Sequence, residues 1–297
     1  MTVTFGGVPA GAVRRTPAAE SAAPAAGRRR RPRIGLLAAG AYLAVLLVAA
    51  VWPAALAPGD PLAADPLRVL SPPDSGHWFG TDQLGRDVWT RVVHGAGHSL
   101  TIGVAATAVA VTAGVLLGLL AGLLHRLADE ALSRSFDALS AFPILLLALL
   151  FIAVAGPGTA SLIGAIGLAA LPRFARVVRG QTLLVRRSGY VEQAVTFGLS
   201  RPRLVLRHVL PNAIGPVPVL VVIGLGEAII IAAGLSFLGL GPQPPSPEWG
   251  AMLSEGRNYL QVAWWISVLP GLAVTATVVS LTALGRHWQA RLDGRQR

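Results

Sequence analysis

The chain is 297 residues long, 53% hydrophobic and 13% charged, with a mean hydropathy of +0.61. Those values exclude a water-soluble domain of this size and describe a chain that crosses a membrane several times. The formal charge is +11, all 25 basic residues are Arg, and there is no Cys, so disulfide and thiolate chemistry are excluded.

Residues 1–33 are rich in small residues and Pro, offer little to bury, and end in Arg28, Arg29, Arg30, Arg31 and Arg33. That is the pattern of a disordered, Arg-rich tail. Ile34–Val51 follows as 18 residues without a charge. It is longer than a signal-peptide core, although Ala55-Leu56-Ala57 mimics a cleavage site, and reads as a retained first span. At about 20 apolar residues per crossing, Leu100–Leu124 is the second span and Ala138–Ala155 the third, bent near its start by Pro143. Gly158–Leu171 is a short fourth that continues past Pro172, with Arg173 and Arg176 reaching for the headgroups. Ala213–Ala233 is the fifth and Val262–Leu284 the sixth. The expected fold is all-α: a polytopic membrane protein of six transmembrane helices with both termini on one side.

The loops say which side. The N-terminal tail holds seven Arg, the 125–137 loop two, the 172–212 loop eight and the C-terminal tail four, 21 of the 25. Only Arg68, Arg86, Arg91 and Arg257 lie in the 52–99 and 234–261 loops. Positive charge collects on the cytoplasmic face, so both termini and the 172–212 loop are expected there, in a cell membrane. The basicity then serves topology and the anionic headgroups of membrane lipid, with no nucleic acid as partner.

Three stretches carry more than topology. In the 52–99 loop, His77-Trp78-Phe79-Gly80-Thr81-Asp82-Gln83-Leu84-Gly85-Arg86-Asp87 precedes an apolar-periodic run, Val88, Trp89, Val92 and Val93. Asp87 is placed to stabilise the start of a short helix lying along the membrane face, with Trp89 at the interface. Between the fourth and fifth spans, Tyr190–Asn212 carries Glu192, Arg201, Arg203, Arg207 and His208 on two short amphipathic helices, broken at Gly198 and Ser200-Arg201-Pro202. After the fifth span come Leu235-Ser236-Phe237-Leu238-Gly239-Leu240-Gly241, Pro244-Pro245 and Pro247-x-Trp249-Gly250.

Glu192-x-Ala194, Gly198 and Leu210-Pro211 resemble the EAA loop of ABC-importer permeases, with Gln193 in place of the middle Ala. Gly80, Thr81, Asp82, Gly85, Arg86 and Asp87 resemble the outer-loop signature of the C-type permease subunit of dipeptide, oligopeptide and nickel ABC importers, and residues 235–250 resemble the same subgroup. The likeness covers about residues 34–285, in order. It implies a type I ABC-importer transmembrane domain over 99–285, preceded by a span and outer loop over 34–98 and followed by a cytoplasmic tail over 286–297. The implied partners are a B-type permease, two cytoplasmic ABC ATPases and an extracytoplasmic substrate-binding protein. Residues 190–211 would be the loop that docks on the ATPase. The chain departs from the subgroup in having Ala232 where a Glu is common, and in a C-terminal run that keeps Leu292-Asp293 but lacks the earlier acids.

Catalytic signatures are missing: no phosphate-binding GxxxxGK[ST], no GxSxG and no HExxH occurs. The expectation is therefore a non-enzymatic subunit without cofactor, metal or catalytic residues, forming half of a pore for di- or oligopeptides. The alternatives are the same machinery carrying nickel or another small solute, or a stand-alone channel or ion-driven carrier. His94 and His98 have the spacing of a two-His metal site but no adjoining carboxylate, which favours interfacial hydrogen bonding. Glu227 is the one acid inside a span: it lines the pathway, bonds to a neighbouring helix, or is protonated.

Overall fold

The computed structural model describes residues 33–293; most of the Arg-rich tail, residues 1–32, and residues 294–297 lie outside them. Among the described residues the regular structure is helical, apart from a single bridge between Thr81 and Asp87. The long helices are α1 (Arg33–Val51), α2 (Val88–Leu123), α5 (Thr159–Arg186), α9 (Val217–Phe237) and α11 (Trp265–Asp293). All five are long and apolar enough to cross a membrane. Shorter helices fill the connections: α3 (Arg126–Ala141), α4 (Ile144–Ala155), α6 (Gly189–Thr196), α7 (Arg201–Leu204), α8 (Leu210–Ala213) and α10 (Trp249–Gly256).

The centre of the fold is the packing of α2 on α5, and small residues make it possible. Gly114, Gly118 and Gly122 recur every fourth residue along α2, facing Phe174, Ala175, Val178 and Thr182. A Cβ on Gly114 would stand 2.6 Å from the Phe174 Cβ, and one on Gly118 would run into the Ala175 carbonyl. Inside a bilayer, apolar burial gives little drive for helices to associate, so such close backbone approach is what holds a pair together. Ala106, Ala110 and Ala121 extend the stripe, all buried. α9 packs against α2 and α5 through Ala228, Ala232 and Leu235 and against α11 on its other side. α1 stands at the edge, held by the Tyr42 hydroxyl, which lies 2.9 Å from the Ala273 carbonyl and 3.0 Å from Thr277 Oγ1 on α11.

Several sequence expectations need correcting. The helix capped by Asp87 does not lie along the membrane face; it is the first part of α2, which runs unbroken for 36 residues. At 1.5 Å per residue that is about 54 Å, well beyond the ~30 Å apolar layer. The third span is not one helix. Pro143 forces Phe142 into extended backbone (φ −86°, ψ 138°), and α3 and α4 meet there at 96°. α4 alone is 12 residues, about 18 Å. Its first residue, Ile144, borders the same crevice as Arg173, while Gly158, just beyond its other end, donates to the Leu240 carbonyl past the end of α9. The fifth span starts at Val217 rather than Ala213, with Pro216 at its N-cap and Pro218 in its first turn, where no N–H is needed. The sixth begins at Trp265 and continues to Asp293, through residues expected to form a tail.

Candidate functional site

At one end of the bundle, α6, α7 and α8 build the Ser188–Ala213 segment. Glu192 lies in the first turn of α6, where the free N–H groups favour a carboxylate, and it is exposed. α6 ends in paired reverse bonds: the Leu199 N–H donates to the Ala194 carbonyl at 3.1 Å and the Gly198 N–H to the Val195 carbonyl at 2.9 Å. This C-terminal arrangement puts one residue in the left-handed region, and Gly198 takes it with φ +79°. The four-residue spacing from Ala194 to Gly198 is thus the spacing of the cap. A Cβ at Gly198 would meet nothing in this chain within 4 Å, so within the chain it is backbone conformation that selects glycine here. Further on, Pro211 has no N–H to give, and the turn before it widens to a π-helix over Val205–Val209, with the Leu210 N–H bonded to Val205. Leu210 is half-buried and Pro211 exposed, while Val209 and Ala213 are buried and anchor the segment; α8 packs on α5.

At the opposite end, residues 80–87 fold into a compact turn. The Thr81 hydroxyl donates to the Arg68 carbonyl and accepts from the Ser71 N–H, and the Trp265 indole donates to the Thr81 carbonyl at 3.0 Å. Asp82 accepts from the Leu84 and Arg86 N–H groups and from Arg86 Nε at 2.6 Å. Gly80 and Gly85 both have positive φ. At Gly85 the Asp65 backbone also leaves no room for a Cβ. Asp87 caps α2, accepting from the Thr90 N–H at 2.8 Å, and holds His77 Nδ1 at 3.0 Å. Nearby, backbone N–H groups of His77 and Gly76 hold the exposed Asp74 carboxyl below its usual range. Arg86 and Arg91 converge on Glu255, at 2.9 and 3.1 Å, and with Asp82 make a buried cluster of two cations and two carboxylates.

Between these ends lies Glu227, the eleventh of the 21 residues of α9 and about 15 Å from either end. It is not alone: Arg173 Nη1 on α5 donates to Glu227 Oε2. Arg173 thus does not reach for headgroups. Nor does Arg176, which donates to the Phe136 carbonyl at 3.1 Å and pairs with Asp137 of α3. Arg179 Nη2 donates to Asp129 of α3 at 2.8 Å, and Arg186 to the Gly122 carbonyl of α2 at 2.6 Å. Four of the arginines assigned to a loop are instead the grip of α5 on its neighbours. His94 lies 3.1 Å from the Ala57 carbonyl through Nε2, and His98 contacts the His94 carbonyl at 3.4 Å through Nδ1.

Residues 114–297 match the family described as binding-protein-dependent transport system inner membrane component. Over 258 residues, 86% of each chain, the sequence is 40% identical to the glutathione transport system permease protein GsiD of Pectobacterium atrosepticum. It is 39% identical over 251 residues, 84% of each chain, to the probable D,D-dipeptide transport system permease protein DdpC of Escherichia coli. With the dipeptide transport system permease protein DppC of Alkalihalophilus pseudofirmus it shares 40% identity, over 77% of this chain and 75% of that one. The chain belongs to this inner-membrane transport family. Its fold is that of ABC-transporter permeases: the methionine transporter MetNI in inward-facing form superposes with a TM-score of 0.54 at 17% identity, covering 66% of this chain and 94% of that one.

In this transport component, sequence reasoning missed Arg173 as the partner of Glu227, and Arg91 and Glu255 as members of the buried cluster. A signal existed for Arg173: a carboxylate deep in one span calls for a cation at like depth in another. It missed Glu248 as well, which caps α10 by accepting from the Gly250 and Ala251 N–H groups at 2.9 Å. Trp249, next to it, is buried and donates to the Val92 carbonyl at 2.9 Å.

Proposed function

We propose that this chain is one of the two permease subunits of an ATP-driven importer for di- or oligopeptides. A B-type permease completes the pore, two cytoplasmic ATPases supply the work, and an extracytoplasmic binding protein delivers the cargo. The chain itself makes and breaks no covalent bond. The names of its relatives, which carry glutathione, D,D-dipeptide and dipeptide, support a peptide cargo. The Arg distribution supports an orientation with both termini and residues 188–213 in the cytoplasm.

The observation that carries this reading is the surface of the 188–213 segment. It is polar and ordered by a helix cap, yet Phe197 is 87% exposed and Leu206 64% exposed, with Glu192 exposed as well. Large apolar side chains beside a solvent-exposed carboxylate fit a docking surface for another protein. The segment joins α5 to α9, the two helices that hold Arg173 and Glu227. ATPase closure pressing on the segment would therefore move both walls of that pair and switch the pore between its inward- and outward-open forms.

Co-expression with the partner subunits, followed by affinity capture of this chain from detergent, tests the assignment. The ATPases and the second permease are expected to co-purify. A lone chain that transports in proteoliposomes would instead establish a channel or ion-driven carrier.

A further inference from the structure

We infer that Arg173 and Glu227 form a mid-membrane subsite that reads the cargo as a zwitterion, Arg173 taking its carboxylate and Glu227 its ammonium group. The inference rests on the importer reading above and goes beyond it, because it assigns a chemical selection to this chain.

The pair stands about halfway along α9, at the depth of the bilayer centre. There the side chains are 39% and 52% exposed on the surface of this chain. An ion pair half-open at that depth is not tolerated against lipid; it belongs against a water-filled pathway or a partner. Charge is otherwise sparse around it: the next ionic group, Arg176 one turn along α5, is held by the Phe136 carbonyl and Asp137 of α3. Leu100–Leu123 of α2, all of α4, the rest of α9 and residues 265–285 of α11 contain no Asp, Glu, Arg or Lys. Beside the pair is a small crevice floored by Ala106, Thr107 and Ala110 of α2 and by Gly224 of α9. At about 20 Å³ the crevice holds no more than a water beside the charges, so a solute meets the pair from its exposed side, and the Thr107 hydroxyl is already committed to the Gly103 carbonyl at 2.8 Å. Arg173 and Glu227 are thus the ionic groups a solute would meet there.

A closed Arg–Glu pair carries no net charge, so it neither traps nor repels ions at long range. At contact it discriminates. A solute bearing both an ammonium and a carboxylate can exchange partners with the pair, giving two charge-assisted hydrogen-bonded contacts for the one it opens. An anion or cation alone would open the pair and leave one charge uncompensated at low dielectric. A neutral, end-blocked solute gains nothing by opening it. The site therefore passes main-chain zwitterions such as free peptides in preference to either kind of ion.

The natural absence of Cys allows a direct test. Ile231 lines the same crevice one helical turn from Glu227. In the reconstituted complex without binding protein, alkylation of Ile231→Cys is followed on the band of this chain while glycylglycine, N-acetylglycine amide or sodium acetate is added at equal concentration. Glycylglycine is expected to slow alkylation and the other two are not. The double variant Arg173→Gln with Glu227→Gln, which removes both charges and leaves none unpaired, should lose that protection while assembling in normal yield. Equal protection by the blocked compound, no protection at all, or protection that survives the double variant overturns the subsite. If the double variant does not assemble, the reversed pair Arg173→Glu with Glu227→Arg decides: protection by glycylglycine is expected to persist, and its loss overturns the proposal. ATP-driven peptide uptake by the unmodified complex is measured alongside. Its absence refutes the importer reading, whereas uptake without protection refutes the subsite alone.

Discussion

Arg86 and Glu255 are 169 residues apart in the chain and 2.9 Å apart in the fold. Through that contact the 80–87 turn is tied to the end of α10, with Arg91 of α2 and Asp82 completing a neutral buried cluster. Buried charges of this kind give no large net stabilisation when intact, but removing one member strands the rest. Glu255→Gln leaves two guanidinium groups facing one carboxylate at a site where Glu255 is only 12% exposed. It should destabilise the chain by about 3 kcal/mol, seen as a lower melting temperature in detergent and greater protease cleavage in the 52–87 loop. A melting temperature equal to that of the parent would show that the cluster is not coupled to stability.

The second prediction concerns the α2–α5 seam. Gly118→Leu places a branched side chain where a single Cβ already meets the Ala175 carbonyl. Overpacking typically costs about 1–3 kcal/mol, and here the clash is with backbone, which has little room to move. The variant should insert but lose monodispersity on size-exclusion chromatography, whereas Gly35→Leu on α1, where a Cβ meets nothing within 4 Å, should behave as the parent.

Gly198 offers a sharper contrast. Its φ of +79° strains a β-branched residue by about 1–3 kcal/mol, whereas Asn accepts the left-handed region readily. Gly198→Val is expected to pair with the second permease yet lose transport and stimulated ATPase activity together. Gly198→Asn should retain both if the cap is all that matters. If Asn fails as badly as Val, the glycine is needed for close approach to the ATPase surface, since nothing in this chain obstructs a Cβ there.

Orientation can be checked on the same Cys-free background. A Cys at Gly76 should label from outside intact cells and a Cys at Ser200 only after permeabilisation. Outside labelling at Ser200 would reverse the topology and remove the 188–213 segment from any cytoplasmic partner.

Much of this architecture was legible because each feature has a local cause. Spans announce themselves by apolar length, unbroken in Ile34–Val51 and interrupted only by Glu227 in Val217–Phe237. The Ala194–Gly198 spacing was legible because a helix cap imposes it. The extra turns of α2 were not, because the run from Val88 carries Arg91, His94 and His98 ahead of the apolar span and so reads as a separate surface helix. In the fold Gly95 is pressed against the Pro247 carbonyl and stays helical. Arg173 was misplaced because a long side chain near a span end can reach headgroups or a buried acid equally well. Its partner lies 54 residues away, which no local pattern encodes. Glu255 was overlooked for the same reason: only the tertiary fold brings it to Arg86 and Arg91.

The most direct measurement of the central claim is uptake of a labelled dipeptide into proteoliposomes containing this chain, its partner permease and the two ATPases, with binding protein on the trans side of the ATPases. The account predicts uptake that needs ATP and binding protein together and disappears when this chain is omitted. Uptake that proceeds with this chain alone, or ATP hydrolysis by the full complex with no peptide movement under any loading of the binding protein, would contradict it.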